Sequence, residues 1–227
     1  MLGAYNGEFS LHDFLAVFCV PAGATTLSGF VDMTLDLISN STYFNTYMKR
    51  FSEDSRVKIP SLLYFTRLGY EYLSVKEHKD EIHQDTNIFI EQFQKSISRI
   101  NDTELTREDA ERIIRDIHIK LSGDDLGRAF YGCLLDGING YKLIDFENIE
   151  NNLFQVVTEL TYKKEEDEFR PDIIPLLNGM PLSFVEVKIP NNREGIQAER
   201  DRIHARFRNK NFRAFANLTQ ILVFSNN

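Results

Sequence analysis

The dipeptide Asn178-Gly179 constrains this chain more than any other pair of neighbours. It stands between two short apolar runs, DIIPLL at 172–177 and LSFVEVKI at 182–189. Asn-Gly between such runs is the strongest local signal for a β-hairpin, because both residues tolerate the positive φ of a tight turn. Two antiparallel strands are thereby set side by side. The second run carries two charges, Glu186 and Lys188. Side chains alternate along a strand, so these two share one face while Val185 and Val187 take the other, as a core requires. Charges in an otherwise apolar strand must be compensated by each other or by a bound ion.

The first strand is entered through Arg170-Pro171-Asp172, and thirteen residues separate Asp172 from Glu186. Whether the two carboxylates meet depends on the turn. A two-residue loop of Asn178 and Gly179 pairs Leu177 with Met180 and carries Asp172 to Val185, the wrong face. A three-residue loop pairs Leu177 with Pro181 and sets Asp172 opposite Glu186. Convergence therefore predicts the longer loop or a bulge. Converging carboxylates are hard oxygen ligands suited to Mg²⁺, which takes few protein ligands and keeps several waters; the backbone carbonyl of Val187 is a candidate third ligand. With no Cys or His partner, zinc is disfavoured. Such a metal would polarise a phosphodiester oxygen and acidify a bound water. Lys188 would orient or deprotonate that water, or neutralise charge on the transition-state phosphorus. As a bare pattern Asp-x₁₃-Glu-x-Lys also describes a surface salt bridge. The strand context and the turn between the carboxylates are what favour a site.

Charge adds a second signal. The chain of 227 residues carries a net −8, which argues against a surface built throughout for nucleic acid. Yet from Lys188 to Arg213 eight basic residues face only Glu194, Glu199 and Asp201. A helix expected at about 194–209 places Arg202 and Arg206 on one face, with Glu199 and Gln197 near. With Arg170 these are the candidate DNA contacts, the alternative being a solvated charged face. The run EEDE at 165–168 reads as an exposed acidic turn.

The rest of the chain supplies a frame. Residues 1–50 are rich in Phe and turns, become helix-like from about 32 to 49, and carry no assignable chemistry. Residues 51–135 read as mainly helical: an element ended by Gly69, a short strand at 70–75, amphipathic helices at 87–100 and from Thr106 (with Asp109 as its capping partner), and another at 125–135. From Tyr141 the period falls towards two, predicting strands at 141–146, 154–162, 172–177, 182–189 and 220–224 in a sheet core spanning 136–227. The expected fold class is α/β, a mixed sheet flanked by helices. The run at 14–24 has no preceding basic residue and is broken by Pro21, so it reads as core and the protein as cytoplasmic, without a membrane span. Cys19 and Cys133 fit a reducing compartment and read as small buried residues. His12, His78, His83, His118 and His204 show no metal-ligand spacing. A strand so near residue 227 reads as the end of a piece of a longer polypeptide.

Phe169 to Lys188 (FRPDIIPLLNGMPLSFVEVK) resembles the nuclease segment of type I restriction enzyme R (motor) subunits, in which an Asp strand runs through an Asn-Gly-x-Pro-Leu turn into a Glu-x-Lys strand. KIPSLLYFTRLGY from Lys58 and LVFSN from Leu222 are similar as well, so the resemblance covers about 57–227. It implies a nuclease core of the PD-(D/E)xK kind, Mg²⁺-dependent endonucleolytic cleavage of double-stranded DNA, an ATP-driven motor behind it, and modification and specificity subunits as partners. The chain has no G-x-x-x-x-G-K-[ST] loop, so ATP belongs to the absent motor portion. Two departures stand out. The Gln and Tyr of some members' following helix are replaced here by the segment Arg202 to Phe207, with Gln197 an earlier substitute. The acidic residue before Gly-Tyr is replaced by Lys58 and Pro60, leaving Glu53 or Asp54 to serve. The rival readings are a non-catalytic DNA-binding or assembly domain that keeps the fold, and a repair nuclease or resolvase with the same core.

Overall fold

The computed structural model describes residues 58–187 and 193–225, the side chains of 193–196 excepted. Residues 1–50, Cys19, His12, Glu53, Asp54 and Lys188 lie outside the described residues.

Helix α1 (Ile59–Arg67) has Pro60 in its first turn, where a missing N–H costs nothing, and ends before Gly69 at φ 93°. The short strand β1 (Glu71–Tyr72) follows. Helix α2 (Ile90–Ile100) buries Ile90, Phe93 and Ile97, the i, i+3, i+7 stripe its sequence shows. Helix α3 (Arg107–Leu121) opens with the expected capping box: Asp109 N–H donates to the Thr106 hydroxyl at 3.2 Å, and Thr106 N–H to the Asp109 carboxylate at 3.1 Å. Its buried face is Ala110, Ile113, Ile114, Ile117 and Leu121. Helix α4 (Arg128–Asp136) buries Cys133, as read from its type.

The sheet strands are β2 (Phe154–Thr158), β5 (Ile173–Leu177), β6 (Ser183–Val187) and β7 (Ile221–Ser225), with β3 (Tyr162–Lys164) and β4 (Asp167–Phe169) forming a separate hairpin. The five-stranded order is β1-β2-β5-β6-β7. β2-β5-β6 are antiparallel, whereas β1 and β7 join at the edges in parallel, so the sheet is mixed. Every residue of β5 is buried, marking it as the central strand covered on both faces. Helices α5 (Arg193–Arg208) and α6 (Arg213–Leu218) complete the chain. Ile203 of α5 and Phe215 of α6 share one apolar cluster with Val157, Ile174, Leu176 and Phe184 of the sheet. No helix among the described residues is long and apolar enough to cross a membrane.

Three expectations need correction. Residues 141–146 form no strand. Leu143 and Ile144 are buried, but backbone partners come from side chains: Asn101 bonds both Lys142 N–H and Lys142 C=O, at 2.8 and 2.9 Å, and the Asn178 amide donates to Leu143 O at 2.9 Å. The strand expected at 154–162 is split, because Glu159 takes φ 60° and turns the chain out of the sheet. The acidic run 165–168 is a turn only at Glu165 and Glu166; Asp167 and Glu168 belong to β4.

Candidate active site

The Asn178-Gly179 turn has two residues, both at positive φ (53° and 75°), closed by Leu177 and Met180 through reciprocal backbone bonds of 3.0 and 2.9 Å. That loop alone would misplace Asp172. The register does not stay constant, however: Leu177 bridges Met180, yet four residues earlier Ile173 faces Val185. One extra residue has entered on the β6 side. It enters at Pro181, where Leu182 N–H folds back on Met180 O at 2.9 Å and where proline has no N–H to offer the ladder. The bulge thus does what a longer loop would have done. Continuing the register by one residue sets Asp172 opposite Glu186, where facing Cβ atoms lie about 4.5–5.5 Å apart.

Asp172 is fixed more directly by a hydrogen bond from Val187 N–H to its Oδ2 at 3.1 Å. Its other oxygen accepts no hydrogen bond among the described residues. Asp172 and Glu186 are both half-buried, in a stretch where β5 and the rest of β6 are fully buried. By alternation they share the sheet face of Ile174, Leu176 and Phe184, the face covered by α5 and α6. The donor set, two carboxylates plus a strand carbonyl, fits a hard divalent cation that keeps most of its waters. No group of three or more His, Cys, Asp or Glu side chains converges among the described residues, so a site rich in protein ligands is not available there.

The turn that sets this geometry is itself buried, which its composition does not reveal. Asn178 is 0% exposed. Its amide donates to Leu143 O and to Asn152 Oδ1, each at 2.9 Å, and its Oδ1 accepts Leu153 N–H at 2.8 Å. Asn152 in turn accepts Asp145 N–H at 3.0 Å, and Asp145 accepts the N–H groups of Glu147 and Asn148 and the Asn151 amide. Burial pushes the Asp145 carboxyl up, but those three donors outweigh it and hold the group below the usual carboxylate range. Gly179 O accepts Phe89 N–H at 2.9 Å, so the turn docks on the start of α2; a Cβ on Gly179 would stand 2.7 Å from Phe93 N.

The candidate DNA contacts fare differently from one another. Arg170 is exposed and lies 3.7 Å from Glu159. Glu159 also takes the Lys58 ammonium at 2.8 Å, which holds its carboxyl low, and its N–H reaches Asp172 O at 3.4 Å. Lys58, which departs from the acidic residue of the resembling family, therefore has a defined partner beside the site. Gln197 is exposed and donates to Asp201 at 3.1 Å. Arg202 and Arg206 both bond Glu199, at 2.8 and 3.3 Å, although Glu199 is 3% exposed. Arg206 is also folded over the Phe169 ring at 4.4 Å. It is thus engaged within the fold, and Arg200, Arg208 and His204 form the exposed basic side of α5. Sequence reading set Glu199 near both arginines by its spacing but gave no sign that it is buried.

The family model described as Type I restriction enzyme R protein N terminus matches residues 50–227. A Methanocaldococcus jannaschii protein named as the MjaIXP endonuclease subunit of a type I restriction enzyme is 31% identical over 168 residues, 64% of this chain and 16% of that protein. The HindI endonuclease subunit of Haemophilus influenzae is 30% identical over 118 residues, 45% of this chain and 11% of that protein. The matched chain thus spans less than a fifth of the length of these relatives.

Proposed function

The chain belongs to the family of type I restriction enzyme R protein N termini, and we propose that in it Asp172, Glu186 and Lys188 form a Mg²⁺-dependent site that cleaves double-stranded DNA. The observation that supports the reading is the bulge at Pro181, which converts a two-residue turn into a register that, carried one residue past Ile173, sets Asp172 opposite Glu186. A hairpin built for packing alone needs no such interruption. The core is of the PD-(D/E)xK kind on this reading. The chain works as the nuclease part of a longer cytoplasmic subunit that carries an ATP-driven motor and assembles with modification and specificity subunits.

The residues divide the work as follows. Asp172 and Glu186, with the Val187 carbonyl, would hold Mg²⁺. When bound, the ion supplies a Lewis acid for the phosphodiester and an acidified water. Val187 N–H holds the Asp172 carboxylate in one orientation, leaving its second oxygen to face the site. A residue in a strand sends its N–H and C=O to the same edge, so the Val187 carbonyl leans towards Asp172. Lys188, two residues beyond Glu186 in the sequence, supplies a cation to the attacking water or to the phosphoryl oxygens. The apolar cover from Ile174, Phe184 and Ile203 keeps the dielectric low and strengthens each of these interactions.

The test is nicking of supercoiled plasmid by the complete restriction complex with ATP. Asp172→Asn, Glu186→Gln and Lys188→Ala are each expected to lower cleavage by on the order of 10²-fold or more, with ATP hydrolysis kept. Unchanged cleavage by all three would favour a non-catalytic DNA-binding or assembly domain.

A further inference from the structure

Beside the β3–β4 hairpin lies a cleft of about 280 Å³. Its walls carry Lys163 and Lys164 from β3, Lys210 and Arg213 from the segment leading into α6, and a single carboxylate, Asp85. Four cations around one acid is a local reversal in a chain of net charge −8. Asp85 is committed to Lys164 at 2.6 Å, and that bond holds its carboxyl low. Arg213 reaches Asp124 at 3.5 Å, but Asp124 is almost fully exposed and such a pair is weak. Lys163 and Lys210 make no ion pair or hydrogen bond among the described residues.

The acids nearby do not fill the cleft. Asp167 accepts the amides of Asn209 and Asn211, each at 2.9 Å, and Glu165 accepts Asn211 at 3.3 Å. Glu168 stands opposite Lys163 across the hairpin without pairing. The cleft is also lined by Tyr162, only 7% exposed, whose hydroxyl has no hydrogen-bond partner among the described residues. Burial pushes its phenol up, so it stays a donor. Ser122, also at the cleft, already donates its hydroxyl to His118 O, and Asn87 donates one amide N–H to Thr161 O. Besides the Gln84 amide and the His118 ring, which also line the cleft, what remains unspent is two ammonium groups, a loosely held guanidinium and a phenolic O–H. These donors suit a ligand that only accepts. Bringing like charges to a concave surface is unfavourable unless an anion occupies it.

We propose that this cleft holds a phosphodiester of the DNA backbone, away from the scissile bond; the assignment rests on the reading of the chain as a DNA-cleaving domain. Helix α5, 16 residues or about 24 Å long, lies in the chain between the catalytic strand and Lys210. None of Asp172, Glu186 and Val187 lines the cleft, so the two sites engage different phosphates; Arg200 and Arg208 are exposed on α5.

The experiment is fluorescence anisotropy of a labelled duplex with the 227-residue chain, without divalent ions, over a KCl series. Each lost phosphate contact lowers the slope of log K against log salt by about 0.9. The Lys163→Gln/Lys210→Gln variant is expected to lose about 1.8, and Lys95→Gln on α2 nothing. An unchanged slope, an equal loss in the control, or no duplex binding by the wild type would overturn the assignment. Phosphorus NMR with inorganic phosphate separates the sources: phosphate bound by the wild type and lost in the double variant, with duplex binding unaltered, would make this a free-phosphate site and refute the backbone contact. A parallel Mg²⁺ titration keeps the two readings apart. Metal binding with an unaltered slope refutes the cleft alone, whereas a lowered slope without metal binding refutes the catalytic reading and leaves the cleft standing.

Discussion

Asn139-Gly140 and Asn178-Gly179 are two turns of one kind, and they allow the burial of the second to be weighed. Both asparagines have φ near 55°, and each turn is closed by a two-residue bridge, Ile138 to Tyr141 and Leu177 to Met180. Asn139 is exposed and its amide meets only Asp116, at 2.6 Å. Asn178 is fully buried and makes three side-chain bonds. Replacing Asn139 with Ala costs the left-handed backbone penalty plus a surface hydrogen bond, about 1–2 kcal/mol. Replacing Asn178 with Ala costs the same backbone penalty and leaves two groups without that partner, the part-buried Leu153 N–H and the buried Leu143 C=O; Asn152 Oδ1 still has Asp145 N–H. At about 1–3 kcal/mol for each orphaned group and about 1–2 kcal/mol for the backbone, the total is about 3–8 kcal/mol, a large part of an ordinary domain's stability. Equilibrium urea unfolding followed by far-UV circular dichroism measures both variants, with an unchanged m-value as the check on two-state behaviour. A difference of less than about 1 kcal/mol between the two variants would refute the view that the buried network, and not turn chemistry, holds this hairpin.

Other outcomes follow from the same contacts. Gly179→Ala, which adds a Cβ 2.7 Å from Phe93 N and 2.8 Å from Phe89 O at φ 75°, is expected to lower the thermal midpoint by more than Gly140→Ala, whose Cβ meets nothing; equal midpoints would contradict the docking of the turn on α2. Arg206→Lys should destabilise by about 2 kcal/mol, since a lysine neither bridges to buried Glu199 nor stacks on Phe169 in the same geometry; a neutral result in denaturant titration would show the contact to be idle. Asp145 has a lowered carboxyl in the fold, so its contribution is present above the unfolded value of about 4 and is lost as pH falls through the folded one. Asp145→Asn should therefore be less stable than wild type at pH 7 and lose less stability between pH 5 and pH 3; parallel pH profiles would count against it.

Much of the helical part was legible because local chemistry and tertiary fate agree there. Thr106 and Asp109 cap α3 as their spacing requires, and the buried stripes of α2 and α3 are those of a period near 3.6. The sheet was less legible where polar side chains replaced a strand neighbour. Residues 141–146 carry a strand-like pattern, yet Asn101 and Asn178 take over their backbone groups, and no local rule announces a partner 41 or 35 residues away. The candidate site falls between these cases. Alternation placed Glu186 and exposed the conflict between a tight Asn-Gly turn and the face of Asp172. It could not say whether a longer loop or a bulge resolves the conflict, because that depends on how the turn packs against Phe89 and Phe93. Arg202 and Arg206 show the opposite limit: their charge and the nearby Glu199 were visible, but the burial of that acid beneath them was not.

The central claim is that the Pro181 bulge brings Asp172 and Glu186 into one cation site. Calorimetric titration of Mg²⁺ into the wild-type chain, Asp172→Asn and Glu186→Gln tests it without requiring cleavage. The account predicts one saturable site in the wild type and its loss in both variants, each still folded. Three identical isotherms, or a site that survives either substitution, would contradict it.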